Sequence, residues 1–280
     1  MKYNDHLIPV ERGQAVSQGW TRAFPHPTGV TWHWTATWDL ETCRRILGGP
    51  DALRKGKASA HFCVGRTSDE GIDRYVAMSN RSWHAGIGQT LTWDGRDAVT
   101  SKNKASRTTI GIETAHIGYA RRGVKAKRNW TEWASYDGRH TYVIPPWPVE
   151  QIRLMILLGG FIQGAFPYLT PQDHHGHADI CPGRKVDVLG FPWVPVLDGI
   201  YGEGTTVDVW TPYRTVEQRQ QALIDLGHDL GRWGADGDWG RLSVGALEDF
   251  QQAQGLAEDG YWTVFTARAI HKALDVRTTT

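Results

Sequence analysis

The chain has 280 residues, with 31 Lys and Arg against 30 Asp and Glu. This balance excludes the strongly basic surface with which proteins attract nucleic acid or anionic membranes, and it favours a neutral, polysaccharide-like or small partner. The length allows one full hydrophobic core and a smaller second one, so we expect two domains. Fourteen tryptophans are many for this length. Most belong in cores, but indole rings also suit sugar and peptide grooves.

Apolar runs of strand type alternate with turns and helical stretches over roughly the first 195 residues. The strand-type runs are VTWHWTAT, SAHFCVGR, IDRYVAM and TTIGIETAHIGYA, with a helical DLETCRRILGG after the first. This alternation predicts an α/β domain. The stretch from 121 to 148 is polar and rich in Trp, and we interpret it as an insertion or long loop.

A longer helix is predicted in VEQIRLMILLGGFIQGAF. Its residues at helical spacing predict a core-facing side formed by Ile152, Met155, Ile156 and Gly159. The apolar part is shorter than twenty residues and is interrupted by polar residues and glycines. We therefore expect a buried helix and no membrane span.

A second, smaller domain follows a change in composition. The segment LDGIYGEGTTVDVWTPYRT has no strong period, which predicts a linker at 199–213 between domains at 1–198 and 214–280. Three helical segments then open at Thr or Ser and predict a small three-helix domain. The loops ADGDWG and EDGYW repeat after 23 residues. A calcium loop starting at Asp236 is excluded, because its sixth and twelfth positions are Arg241 and Leu247.

The cysteines and the start of the chain bear on the cellular compartment. Cys43, Cys63 and Cys181 are odd in number, far apart and without CxxC spacing, which predicts reduced thiols. The start, MKYNDHLIPVERGQ, has no basic patch followed by an apolar run, so we expect no secretory signal and synthesis in the cytoplasm.

Histidines and aspartates concentrate in HHGHADICPGRKVD, at 174–187. A catalytic zinc site takes three protein ligands from separate parts of the chain and leaves a fourth position for water. His33, His61 and His84 are therefore further candidates, although a single histidine on a buried strand is more often a core residue.

Five blocks considered together resemble a known family. They are VTWHWTAT, SAHFCVGR, SNRSWHAGIG, TTIGIETA and HADICPGRKVD. In order and spacing they resemble the zinc N-acetylmuramoyl-L-alanine amidases of the peptidoglycan-recognition type, which include phage endolysins and bacterial cell-wall recycling amidases. The resemblance covers roughly 28–193. Its most specific block, G-H-x-D-I-x-P-G-R-K-x-D, is matched by 176–187. It implies a central mixed β-sheet flanked by helices.

The resemblance implies a ligand set for zinc. His33, His177 and Asp187 occupy the positions of the three ligands. Two alternatives stay open. Cys181 could replace Asp187, because a thiolate binds zinc well, and a shift of register could bring in His175.

The resemblance also implies the catalytic and substrate-binding residues. Glu113 is the catalytic glutamate that moves a proton from water to the leaving amine; the alternative is a strand-end ion pair. Lys185 stabilises the oxyanion. His84 and Arg184 bind substrate, and Arg184 has a structural role as its alternative. His61 stands where some relatives carry a catalytic tyrosine.

Residues 215–274 resemble the three-helix peptidoglycan-binding module of many wall hydrolases. The similarity lies in QALIDLG, DGDWG, LEDFQQAQGLAEDGYW and TARAI. Trp239 and Trp262 either line its binding face or pack between its helices. A tethered module raises the effective concentration of an insoluble substrate at the catalytic domain.

These expectations combine into one function. The resemblance implies a monomeric zinc amidase that cuts peptidoglycan between N-acetylmuramic acid and L-alanine, with no nucleic-acid partner. With no secretory signal it looks like a phage endolysin, which collects in the cytoplasm and acts on the wall once the membrane is breached. The alternatives are a recognition protein that binds without cutting and a host recycling amidase.

Overall fold

The computed structural model describes residues 3–7, 16–20, 25–48, 58–90, 99–102, 105–121 and 123–278. The strands are β1 Tyr3–Asp5, β2 Val16–Ser17, β3 Gly29–Trp34, β4 Phe62–Val64, β5 Ile72–Arg74, β6 Arg81–Ser82, β7 Ile87–Thr90, β8 Val99–Lys102, β9 Thr109–Thr114, β10 Thr131–Ala134, β11 Thr141–Ile144 and β12 His174–Gly176. The helices are α1 Leu40–Leu47, α2 Ala105–Thr108, α3 Val149–Ala165, α4 His177–Ile180, α5 Trp193–Tyr201, α6 Val216–Asp225, α7 Arg241–Ala253 and α8 Val264–Thr278.

The first domain is built on a six-stranded sheet of order β1-β5-β4-β9-β3-β12. Only β4 and β5 pair antiparallel within it, so the sheet is mixed, as the resemblance implied. Phe62 and Val64 face the core that includes residues of α3 and α5. Cys63, between them, faces α1 on the other side. Helices therefore cover both faces, and the predicted fold class is confirmed.

Strand alternation decides which residues of β3 are available for chemistry. Val30, Trp32 and Trp34 belong to the core that β3 shares with α3. Because successive side chains of a strand point to opposite faces, Thr31 and His33 face the other side of the sheet. All six residues of β3 are buried, which fits a central strand in a parallel arrangement.

The predicted helix near 150–166 is confirmed as α3, although its buried side is broader than predicted. Met155 and Gly159 are buried, whereas Ile152 and Ile156 are only half-buried. Ile156 lies against Gly199 of α5. The other buried apolar side chains of α3 are those of Leu154, Leu158 and Ile162. Within the described ranges, no helix combines the length and the apolar composition that a membrane crossing needs.

Two expectations about the first domain need correction. The stretch 121–148 is not a long loop, because β10 and β11 form an antiparallel hairpin within it; its interpretation as an insertion stays a prediction. Cys43 and Cys63 are joined by a disulfide, so reduced thiols are found only at Cys181, which is buried. The disulfide forms because α1 packs against β4, a contact that the separation of the two residues in the sequence does not reveal.

Helices α6, α7 and α8 share a second core. Thr215 caps α6 in a capping box, and the Thr263 hydroxyl accepts a hydrogen bond from the backbone of α8, as predicted. Ser243, with which the second of the predicted helical segments opens, is not a cap, because α7 begins two residues earlier, at Arg241. Gly227 and Gly255 follow α6 and α7 with φ of 93° and 65°, which is the conformation that favours glycine after a helix.

The internal half-repeat is held by two equivalent glutamines that the sequence did not single out. Gln220 accepts a hydrogen bond from the Gly237 backbone and donates to Asp236. Gln251 accepts from the Gly260 backbone and donates to Asp259. The aspartates of the two loops therefore serve as turn formers.

Trp239 and Trp262 lie in this second core. They are 6% and 4% exposed, and their rings meet edge to face with centroids 6.1 Å apart. The two rings therefore pack between the helices, which is one of the two alternatives that the sequence left open. Because neither ring is accessible, the predicted role of Trp239 and Trp262 in substrate binding does not agree with the structure.

The second domain lies directly against the first. Arg219 of α6 is buried and donates hydrogen bonds to the backbone carbonyls of Ser135, Ala134 and Tyr213. The first two belong to the β10–β11 hairpin and its turn. Part of the predicted linker is also packed, because Val209 and Tyr213 contribute to the second core.

We predict that Arg219→Leu lowers the free energy of unfolding by roughly 2–4 kcal/mol, because three carbonyl groups each lose one buried donor. Chemical denaturation measures the change. The matched control is Arg232→Leu, whose guanidinium is exposed and lies over Trp233; we expect a loss below about 1 kcal/mol there. Equal effects of the two substitutions would contradict the structural role of Arg219.

Candidate metal centre and active site

Three side chains from separate parts of the chain converge at one edge of the sheet. The Nδ1 atom of His33 lies 3.0 Å from Nδ1 of His177 and 3.2 Å from Oδ2 of Asp187. His177 Nδ1 and Asp187 Oδ2 are 3.1 Å apart. All three residues are buried, and their atoms form a group that could hold a metal ion. This is the ligand set that the resemblance implied.

Strand pairing explains how two of these residues meet. β12 runs parallel to β3, with Gly176 opposite Trp32. The residue after each of these is a histidine: His33 is still in β3, whereas His177 leaves the sheet beside it and begins α4. A backbone hydrogen bond holds Asp187 close to His177: the N–H of Ala178 donates to the carbonyl of Asp187.

The second nitrogen of each imidazole is held by the protein. His177 Nε2 donates to the carbonyl of Ala85 at 2.9 Å, and His33 Nε2 lies 2.9 Å from Nδ1 of His84. His84 Nε2 in turn lies 3.2 Å from the carbonyl of Thr109, which can only accept. His84 therefore donates from Nε2 and accepts from His33 Nε2, and neutral His33 and His177 each keep a lone pair on Nδ1.

The electrostatics of the group suit a cation. Burial works against the charged form of Asp187, but His177 and His33 outweigh it, and the pKa of Asp187 lies well below its usual value. Burial lowers the pKa of His33 to about 4, with repulsion from His177 adding to the effect. For His177, Asp187 overcomes the effect of burial and raises the pKa to about 9. A metal ion would replace the proton that this pair attracts.

The donor set fits a divalent metal. Two neutral imidazoles and one carboxylate are a ligand set found in catalytic zinc sites, which leave the fourth tetrahedral position free. The close approach of three lone-pair donors, with each imidazole oriented from behind, fits such an ion.

The two alternative ligands lie elsewhere. The sulfur of Cys181 accepts a hydrogen bond from Arg184 and lies near the Ala85 carbonyl, on the Nε2 side of His177. His175 Nε2 is bonded to the Thr31 hydroxyl at 2.8 Å. Neither belongs to the group that could hold a metal ion among the described residues.

Glu113 lies next to this group. It is opposite His33 in the parallel register of β3 and β9, and strand alternation puts it on the same face of the sheet. Burial, reinforced by the negative charge of Asp187, raises the pKa of Glu113 to about 8. Its Oε2 atom is buried and has no hydrogen-bond partner among the described residues. A buried carboxylate oxygen without a partner is costly and marks a functional candidate.

Lys185 and Arg184, the two basic candidates, have different surroundings. Lys185 is half-buried, and its positive charge favours the ionised form of Glu113. Arg184 donates to the Ala85 carbonyl and to the Cys181 sulfur, which corresponds to its structural alternative.

His84 is only 8% exposed, and both of its ring nitrogens are engaged by protein groups. Its predicted role in substrate binding does not agree with this placement. Gly111 of β9 makes room for it: a Cβ there would lie 2.3 Å from the His84 ring. No signal in the sequence connected His84 to His33, because their contact depends on how the segment that carries His84 packs over Gly111 of β9.

Comparison with known proteins identifies the family. The model of the N-acetylmuramoyl-L-alanine amidase family matches residues 23–188, more than half of the chain. The chain belongs to this amidase family. A peptidoglycan-binding domain model matches residues 214–270, the three-helix domain of this amidase. Among curated proteins, none matches the sequence.

Solved structures show the same fold. The amidase is similar to AmiD from E. coli, an N-acetylmuramyl-L-alanine amidase in complex with the substrate anhydro-N-acetylmuramic acid-L-Ala-D-gamma-Glu-L-Lys, with a TM-score of 0.51, 21% identity and 93% of each chain covered. It is also similar to AmpDH3 from Pseudomonas aeruginosa, with a TM-score of 0.51, 21% identity, and 98% of this chain and 100% of the other covered.

We predict that His84→Leu weakens zinc binding by about ten- to a hundredfold, because His33 Nε2–H loses its acceptor and the ring loses its orientation. In His84→Gln an amide oxygen can accept the same hydrogen bond, so we expect a loss below about tenfold. Competition with a chromophoric chelator measures both constants. His116→Gln, at a buried histidine stacked on Trp147, serves as the control; an unchanged zinc affinity in His84→Leu would contradict the assignment.

Proposed function

We propose that this amidase uses zinc held by His33, His177 and Asp187 to hydrolyse peptidoglycan between N-acetylmuramic acid and L-alanine. The observation that carries the proposal is the convergence of three buried ligand atoms at the sheet edge, with an unpartnered oxygen of Glu113 beside them. Zinc, when bound, supplies a Lewis acid that lowers the pKa of water to roughly 7 and polarises a carbonyl.

The residues of the chain supply the proton transfers and charge stabilisation. Ionised Glu113 takes a proton from the attacking water and returns it to the amine of the departing L-alanine. Its raised pKa suits both steps, because a general base works best when its pKa lies near the operating pH. The ammonium group of Lys185 stabilises negative charge on the carbonyl oxygen of the cleaved amide. His61 is buried and bonded to Ser82 and Gly111, so proton transfer falls to Glu113.

We assign binding of the wall polymer to the three-helix domain. The match to a peptidoglycan-binding domain supports this assignment. Trp233 is 69% exposed, so it is far more accessible to a glycan than Trp239 or Trp262. Arg232 lies over its ring. A domain of this kind suits action on polymeric wall, the substrate of an endolysin. We propose that role for the enzyme, which would act on the wall from the cytoplasmic side after the membrane is breached, as a monomer.

We expect digestion of purified peptidoglycan to produce new L-alanine amino termini and no new reducing sugars, and we expect a chelator to abolish cleavage. End-group analysis of the digest measures both. New reducing ends would identify a glycosidase and overturn the proposal. Sedimentation with the wall without any cleavage would identify a recognition protein. Activity on soluble anhydro-muropeptides that exceeds activity on intact wall would identify a recycling amidase.

We predict that Glu113→Gln retains zinc at full stoichiometry but lowers kcat by about 10²- to 10⁴-fold, because the amide cannot accept the proton of water. Metal analysis and initial rates measure the two properties. In contrast, His177→Ala should lose both zinc and activity. Glu132→Gln, at an exposed residue of β10, is the matched control. Wild-type kcat in Glu113→Gln, or full zinc stoichiometry in His177→Ala, would contradict these roles.

A further inference from the structure

A buried carboxylate close to the metal ligands connects the two domains. Asp179 lies in α4, two residues after His177, and it is 1% exposed. Its Oδ2 atom accepts a hydrogen bond from the backbone N–H of Gly176 at 2.7 Å. Its Oδ1 atom accepts one from the backbone N–H of Val264 at 2.8 Å. One side chain therefore binds the residue immediately before His177 and the first residue of α8.

The partner in the second domain is suited to a carboxylate. Val264 opens the fifteen-residue helix α8. The first N–H groups of a helix have no acceptor within the helix, and the helix dipole favours negative charge at this end. Asp179 provides both the acceptor and the charge, although it belongs to the other domain.

Two further contacts hold the same segment. The backbone N–H of Trp262, just before α8, donates to the carbonyl of Tyr136, in the turn between β10 and β11. Arg268, on the second turn of α8, donates to the carbonyl of Gln172, two residues before β12. The chain that leads into His177 is therefore fixed from the second domain at several points.

We propose that Asp179 is a positioning residue through which α8 orients His177 in the metal centre. The second domain is then a structural part of the catalytic centre as well as a wall-binding domain. This inference rests on the proposed function only in requiring that His177 binds the metal.

A pair of substitutions at Val264 isolates the hydrogen bond in the full-length chain. Val264→Pro removes the N–H that Asp179 accepts, and proline is well tolerated at the first position of a helix. Val264→Ala keeps the N–H and loses more buried packing than Val264→Pro does. A weaker zinc site in Val264→Pro than in Val264→Ala therefore reports the lost hydrogen bond and not lost packing.

We expect Val264→Pro to weaken zinc binding about tenfold relative to Val264→Ala, with the melting temperatures of the two metal-free proteins within a few degrees. Competition with a chromophoric chelator and thermal denaturation measure the two properties. Equal zinc affinities in the two variants would overturn the proposal.

A second pair of variants tests the carboxylate itself, including the case in which Val264→Pro does not fold. Asp179→Asn leaves one oxygen for two N–H donors, so we expect zinc affinity to fall several-fold. Asp73→Asn is the control, because Asp73 is also fully buried and bonded to Arg44 and Tyr75. Equal zinc affinities in these two variants would also overturn the proposal.

The zinc measurements need no substrate, so the two hypotheses fail separately. A wild-type chain that binds zinc but releases no L-alanine termini would disprove the proposed function alone. If the amidase is active but the substitutions at Val264 and Asp179 leave its zinc affinity at the level of their controls, only the positioning role is disproved.

Discussion

Parallel pairing of β3 with β9 on one side and β12 on the other is the constraint on which the active site depends. This register puts Glu113 opposite His33 and brings His177 out of the sheet beside them. Because the strands run in the same direction, their carboxyl ends meet at one edge, the usual place for ligand sites in such sheets. The loop that carries Asp187 then needs only to fold back onto α4.

This arrangement buries several polar groups close together, which is unfavourable unless they form hydrogen bonds. His33, His84 and His177 are all buried, and each has a ring nitrogen bonded to a group of the protein. Glu113 differs, since one of its oxygens has no partner among the described residues. The three histidines are therefore fixed by hydrogen bonds, whereas the Glu113 carboxylate has an oxygen available for proton transfer.

The sequence was informative where function requires fixed residue types at fixed spacing. The block around His177 and Asp187 predicted two members of the group that could hold a metal ion, and the strand pattern predicted the α/β fold. It was uninformative where the outcome depends on packing between distant segments. The disulfide of Cys43 follows from α1 packing on β4, and the link from His84 to His33 needs a glycine at position 111. Likewise, Trp239 and Trp262 suit a sugar surface and a core equally well until their burial is known.

The docking of the three-helix domain through Arg219 and Asp179 has a consequence for turnover on an insoluble polymer. When a wall-binding domain is joined by a flexible linker, the catalytic centre can reach many bonds while the domain stays bound at one point. A domain packed against the catalytic centre keeps the two at a constant offset, so only bonds near the anchoring point are within range. Under the proposed function, the enzyme would have to dissociate from the wall after cutting these bonds before it could cut again, so tighter binding to the wall would slow its digestion.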